Sequence, residues 1–150
     1  MENYIINNKT IGLLKINNKT IIFNVDKTKV INKSIRQVID YSCKYYGSNL
    51  NGRICSAKYI LGDKYKIPIV IDDFNKLILI SLSSIRNNIC LFLIFNKIVD
   101  YSIENRYLKI KCANNVNFYV KISKNIFEKK LLKSLKLNNV LFERKNVKFL

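Results

Sequence analysis

Residues 34–62 read SIRQVIDYSCKYYGSNLNGRICSAKYILG, and they decide the fold class, because here a period near 3.6 interrupts a chain otherwise patterned for strands. Ile35, Val38, Ile39, Ser42, Cys43 and Tyr46 share one helical face. Ser34 and Gln37 have the spacing of a capping box, and Gly47 can end the helix. Arg36, Asp40 and Lys44 fall outward at i, i+4 and i+8, the pattern of a solvated salt-bridge face. A second helix is expected over 49–61: Leu50, Ile54, Ala57 and Leu61 make its stripe, Arg53 and Lys58 flank it, and Gly62 can close it, with Gly52 lowering its propensity.

On the N-terminal side, Ile-Asn-Asn-Lys-Thr-Ile occurs at 6–11 and again at 16–21. Asparagine tolerates the positive φ of tight hairpin turns, so strands are expected near 3–7, 10–16 and 20–25, a three-strand meander. On the C-terminal side strands are expected at 65–71, with Pro68 at an edge, and at 76–82, 89–99, 106–112 and 116–122. The connections between them are Asp72 to Asn75, Ser83 to Asn88, and Asn114-Asn115. Asp72 and Asp73, adjacent within a turn, do not make a carboxylate pair for catalysis. A last helix over about 124–136 starts at Ser123 and sets Phe127, Leu131 and Leu135 opposite Lys129, Lys133 and Lys136. The expected class is α+β: an N-terminal β-meander, two central helices, an antiparallel meander of about five strands and a basic C-terminal helix. A length of 150 residues fits one domain that buries about two thirds of its unfolded surface.

The charge narrows the function. Twenty-seven Lys and Arg against ten Asp and Glu give +17, and +9 of it falls within 102–150. Such a surface seeks polyanions. Lys, Asn and Ile number 22, 21 and 24, as an AT-rich genome would produce, but codon bias does not itself remove acids. With no histidine, the commonest general base, the Ser–His and Cys–His pairs and the commonest metal ligand are absent. Cys43, Cys55, Cys90 and Cys112 lack Cys-x2-Cys spacing and are expected to be buried thiols. The start of the chain lacks the charged and apolar pattern of a secretory signal, so a reducing cytoplasm is expected. The apolar stretch 77–95 is broken by Arg86, Asn87 and Asn88 into runs too short to span a bilayer. Neither an enzyme, a metal, a cofactor nor a membrane is expected.

The segment SCKYYGSNLNGR at 42–53 resembles the competence transcription factors of Gram-positive bacteria, the ComK family. So do AKYILGDKYKIPIVID at 57–72, LSSIR at 82–86 and CLFLIFNKI at 90–98, in the same order and at similar intervals, within a participating region of 38–137. Phe92 stands where tryptophan is expected, Lys97 where histidine is usual, and no proline follows Arg86. The resemblance implies a cytoplasmic activator of DNA-uptake genes that binds paired A/T-rich boxes of double-stranded DNA, mainly through the minor groove. It also implies a homo-oligomer, dimer or tetramer, that bends its site, with RNA polymerase and a Clp protease adaptor as further partners.

A narrow A/T minor groove attracts inserted Arg or Lys and offers few base-specific contacts. Arg86, in the expected hairpin between two strong strands and beside Asn87 and Asn88, fits that task; an exposed turn arginine without a ligand is the competing reading. For Arg53 a groove contact competes with a bond to a helix end, and for Lys44 and Lys58 a phosphate contact competes with a solvated face. Lys97, Lys129, Lys133 and Lys136 complete the candidate DNA contacts. Tyr45 and Tyr46 could stack on bases, although Tyr46 lies on the apolar stripe. Two other readings stand beside a DNA-binding regulator: an RNA or single-strand binder using Phe118 and Tyr119, and a shortened relative that acts by protein–protein interaction.

Overall fold

A computed structural model of the chain describes residues 3–83 and 89–148. Strands β1 (Thr10–Ile16), β2 (Lys19–Asn24) and β3 (Thr28–Ile31) come first, followed by helices α1 (Ile35–Tyr45) and α2 (Leu50–Leu61). Strands β4 (Ile69–Asp72), β5 (Leu77–Ser81), β6 (Ile89–Ile94), β7 (Ile98–Glu104), β8 (Tyr107–Cys112) and β9 (Asn117–Val120) lead into the last helix, α3 (Lys124–Lys145). The α+β class and the order of its parts agree with the sequence reading.

The strands divide between two antiparallel sheets. One has the order β3-β2-β1-β6-β5-β4, the other β7-β8-β9. The pairing of β1 with β6, Gly12 opposite Leu93 through Ile16 opposite Ile89, joins the N-terminal meander to the later strands. Alternation then fixes two cores. Leu13, Ile22, Ile71, Leu79, Cys90 and Phe92 face α1 and α2, where Ile35, Val38, Ile39, Cys43 and Leu50 meet them. From the opposite face Ile11, Ile80, Leu91 and Leu93 meet Leu108, Ile110 and Cys112 of the second sheet and Phe127 of α3. A smaller cluster of Ala57, Leu61, Val70, Ile78 and Leu137 seats α2 and α3 against β4 and β5.

The local signals act as the residues require. Ser34 Oγ accepts from Gln37 N at 3.2 Å while Gln37 Oε1 accepts from Ser34 N at 3.0 Å, a complete capping box. Gly62 ends α2 in the left-handed region with φ 72°. Asn17 and Asn114 hold φ of 53° and 59° in their turns. Pro68 immediately precedes β4, an edge strand.

Four differences from the sequence reading have physical reasons. Residues 3–7 form no strand. Asn7 makes local bonds, its Oδ1 accepting from Lys9 N at 2.9 Å, and Ile6 pairs with side chains instead, its N donating to Ser42 Oγ and its O accepting from Tyr46 OH. The meander's third strand is instead 28–31. The run 89–99 is two strands: a 3-10 turn at Phe95–Lys97 carries the chain from β6, buried on both faces, into the second sheet. Within that run only Asn96 and Lys97 mark the turn, a polar pair too short to separate it from a strand by pattern alone. Helix α3 continues past Lys136 to Lys145, because burial of Leu137 outweighs the poor propensity of Asn138 and Asn139. Finally, Cys43, Cys90 and Cys112 are buried, but Cys55 is exposed, since it lies off the stripe of α2.

Candidate nucleic-acid interface

The antiparallel order sends alternate connections to opposite ends of the six-stranded sheet. At one end lie the β1–β2 turn, the exit of β3, the approach to β4, and the ends of β5 and β6 that flank residues 84–88. Asp26, Asp72 and Asp73 lie at the other end, whereas Asp63, in the α2–β4 connection, lies at the first.

Two grooves open at the first end. One, of about 580 Å³, is lined by Asn18, Asn32, Lys33, Arg36, Asp40 and Asn51 among others, with Arg36 Nη2 donating to Asn51 Oδ1 at 3.5 Å. The other, of about 610 Å³, has Lys58 of α2, Lys64 and Lys66 of the α2–β4 connection, and Lys130 of α3 in its walls, with Ile54, Ile69, Leu82 and Phe92 in its floor. No carboxylate is among the described residues lining this second groove. The nearby Asp63 is engaged elsewhere, its Oδ2 lying 3.2 Å from Lys133 Nζ, which also donates to Tyr65 O. Burial, then the neighbouring Lys66 and Lys133, hold the Lys130 ammonium below the ordinary lysine pKa. Lysines kept this close without a carboxylate between them make a local concentration of positive potential.

The residues expected from sequence are distributed unevenly over this surface. Arg86, Asn87 and Asn88 lie outside the described residues; the strands their connection joins, β5 and β6, do pair antiparallel. Lys58 lines the lysine groove and Lys133 stands beside it, tied to Asp63. Lys129 and Lys136 are exposed, seven positions apart on α3. Lys97 is half-buried in the 3-10 turn, at the sheet's other end. Lys44 pairs with Asp40 at 3.0 Å. Arg53 turns inward, its Nη2 donating to Tyr46 O at 3.4 Å and Ile71 O at 3.3 Å. Tyr46 is half-buried against the core, and Tyr45 packs edge-on against it. Of the two β9 aromatics Tyr119 is exposed, while Phe118 is half-buried edge-on against Phe23, so they do not share a stacking face.

Lys64, Lys66 and Lys130 were not singled out by the sequence. Lys66 falls within the expected strand 65–71 and Lys64 immediately before it, and Lys130 sits beside the more outward Lys129. Its spacing from Ile126 and Lys133 is the one signal that pointed to this shoulder of α3.

Among the described residues no group of His, Cys, Asp or Glu is placed to hold a metal ion, and no helix is long and apolar enough to cross a membrane. Fold and site together define a basic α+β chain with a cationic groove at one end of its main sheet. A model of the ComK protein family matches residues 1–146, so the chain belongs to the ComK family, which is a family of competence transcription factors and not of enzymes. No curated protein and no solved structure matches it.

Proposed function

We propose that this protein is a single-domain, double-stranded DNA-binding regulator of DNA-uptake genes, acting in the cytoplasm as a homo-oligomer and preferring A/T-rich boxes read mainly through the minor groove. The observation that carries the reading is the gathering of Arg36, Lys33, Lys58, Lys64, Lys66, Lys130 and three asparagines at one end of the sheet, where Asp40 and Asp63 are each paired with a lysine, Lys44 and Lys133. Cations suit the enhanced negative potential of a narrow A/T groove, and arginine and amide side chains suit its degenerate pattern of acceptors. From the sequence, Arg86, between the ends of β5 and β6, is the residue assigned to the groove itself. Lys129 and Lys136, both exposed, are assigned to phosphate.

Fluorescence anisotropy on two duplexes of equal length, one with paired A/T tracts and one G/C-rich, tests the reading. Tighter binding to the A/T duplex, reversed by a drug that occupies the minor groove, is the expected result. Equal and drug-insensitive binding to both duplexes would reject minor-groove preference, and no binding would favour a role through protein partners.

A further inference from the structure

We propose that the groove walled by Lys58, Lys64, Lys66 and Lys130 is a phosphate channel, and, resting on the reading above, that it holds the phosphodiester backbone of DNA beside the bases being read. The positions of the four lysines carry the inference. Lys58 comes from α2, Lys130 from α3, and Lys64 and Lys66 from the connection that follows α2, so the cations stand on separate walls of one open cleft. Charges spread over one exposed helix face would merely be solvated. Cations converging on a cleft repel one another, and that repulsion is relieved when an anion enters.

Further features agree. Lys66 has φ 53°, in the left-handed region that side-chain-bearing residues rarely adopt, so the backbone is held in a costly form at the groove. Lys130 is half-buried, with its pKa pushed down by burial and by Lys66 and Lys133, and a bound phosphate would favour its charged form. The nearby Asp63 is paired with Lys133 rather than with the groove's lysines. The hydroxyl-bearing Ser81 and Ser83 also line the cleft.

The test compares the wild-type chain with Lys66→Asn plus Lys130→Met, with Lys58→Gln, and with Lys9→Gln plus Lys27→Gln as a charge-matched control at the sheet's other end. Asparagine accepts the left-handed backbone at 66, methionine keeps the apolar stem at 130, and position 58 is exposed, so none of these changes attacks the core. Anisotropy on an A/T duplex across salt gives the slope of log K against log salt, at about 0.9 per phosphate contact. The groove double variant is expected to lose about 2 from the slope and Lys58→Gln about 1, with the control at the wild-type value. A groove double variant whose slope matches the control overturns the proposal.

A second arm measures the rise in Tm caused by inorganic tripolyphosphate. Loss of that rise in the groove double variant, with the control unaffected, supports a phosphate channel even if the wild type fails to bind DNA, in which case only the DNA reading falls. An equal rise in all variants rejects the channel whatever the DNA result.

Discussion

The Nη2 of Arg53 donates to the carbonyl oxygen of Ile71 at 3.3 Å and to that of Tyr46 at 3.4 Å, so one guanidinium joins the C-terminal end of α1 to strand β4. The end of a helix leaves carbonyls without intrahelical partners and carries partial negative charge, which a cation offsets. Arg53→Ala is therefore expected to lower unfolding free energy by about 1.5–3 kcal/mol, the range for hydrogen bonds from a charged group. The salt slope of DNA binding should stay at the wild-type value. Urea denaturation and anisotropy check the two halves; intact stability with a reduced slope would make Arg53 a DNA contact instead.

Gly12 occupies the one place in β1 where a side chain has no room. A Cβ there would lie 2.6 Å from the carbonyl oxygen of Phe92 and 2.8 Å from Cδ2 of Leu93, on the neighbouring strand β6. The pairing of β1 with β2 is irregular at the same point, between Thr10 and Gly12. Since the nearest atom is backbone in a central pair of strands, Gly12→Ala should cost about 3 kcal/mol, at the upper end for overpacking. A thermal melt measures it, and a loss under 1 kcal/mol would mean that β1 and β6 separate easily.

Closing α1 at its start is a separate, smaller contribution. The reciprocal bonds of Ser34 and Gln37 satisfy two backbone groups, so Ser34→Ala should cost about 1 kcal/mol and Ser34→Asp should restore most of it. Urea titration of both variants distinguishes a cap from a side chain that matters only for packing, for which aspartate would not compensate.

How far these features could be read in advance depends on the range over which they act. Capping box, helix stops and asparagine turns depend on neighbours within four residues, and Ser34, Gln37, Gly62 and Asn17 act as their types dictate. The break at Phe95 depends on the second sheet that Ile98 enters, and the length of α3 depends on where Leu137 meets Val70 and Ile78. Neither partner is near in sequence. The lysine groove is the extreme case, since Lys58, Lys66 and Lys130 span 72 positions and meet only when α3 packs along α2. Local pattern found Lys58; the cluster required the tertiary structure.

The thiols divide sharply by environment. Burial pushes Cys43 up to about 11 and Cys112 up to about 12, so neither supplies thiolate at neutral pH, and Cys90 is fully enclosed. Cys55 is exposed on α2. The native protein at pH 8 should take up one equivalent of iodoacetamide, and Cys55→Ser should take up none, with the other three thiols reacting only in guanidinium. Mass spectrometry of the alkylated chain checks this, and rapid native labelling of Cys43 or Cys112 would show that the two cores open readily.

Asp40 makes acid the natural stress for the α1–α2 junction. Its Oδ1 accepts from Leu50 N at 2.9 Å and its Oδ2 lies 3.0 Å from Lys44 Nζ; the bond from Leu50, then that from Lys44, hold its carboxyl below the ordinary value. A depressed carboxylate favours the folded state above its unfolded pKa of about 4, and that advantage disappears as pH falls through the lower folded value. Asp40→Asn should therefore melt below the wild type at pH 7, and the two melting temperatures should converge as the pH falls below about 4. Because asparagine still offers an oxygen to Leu50 N, the difference that vanishes reports the carboxylate charge, whereas a gap that stays constant with pH would assign the effect of Asp40 to shape.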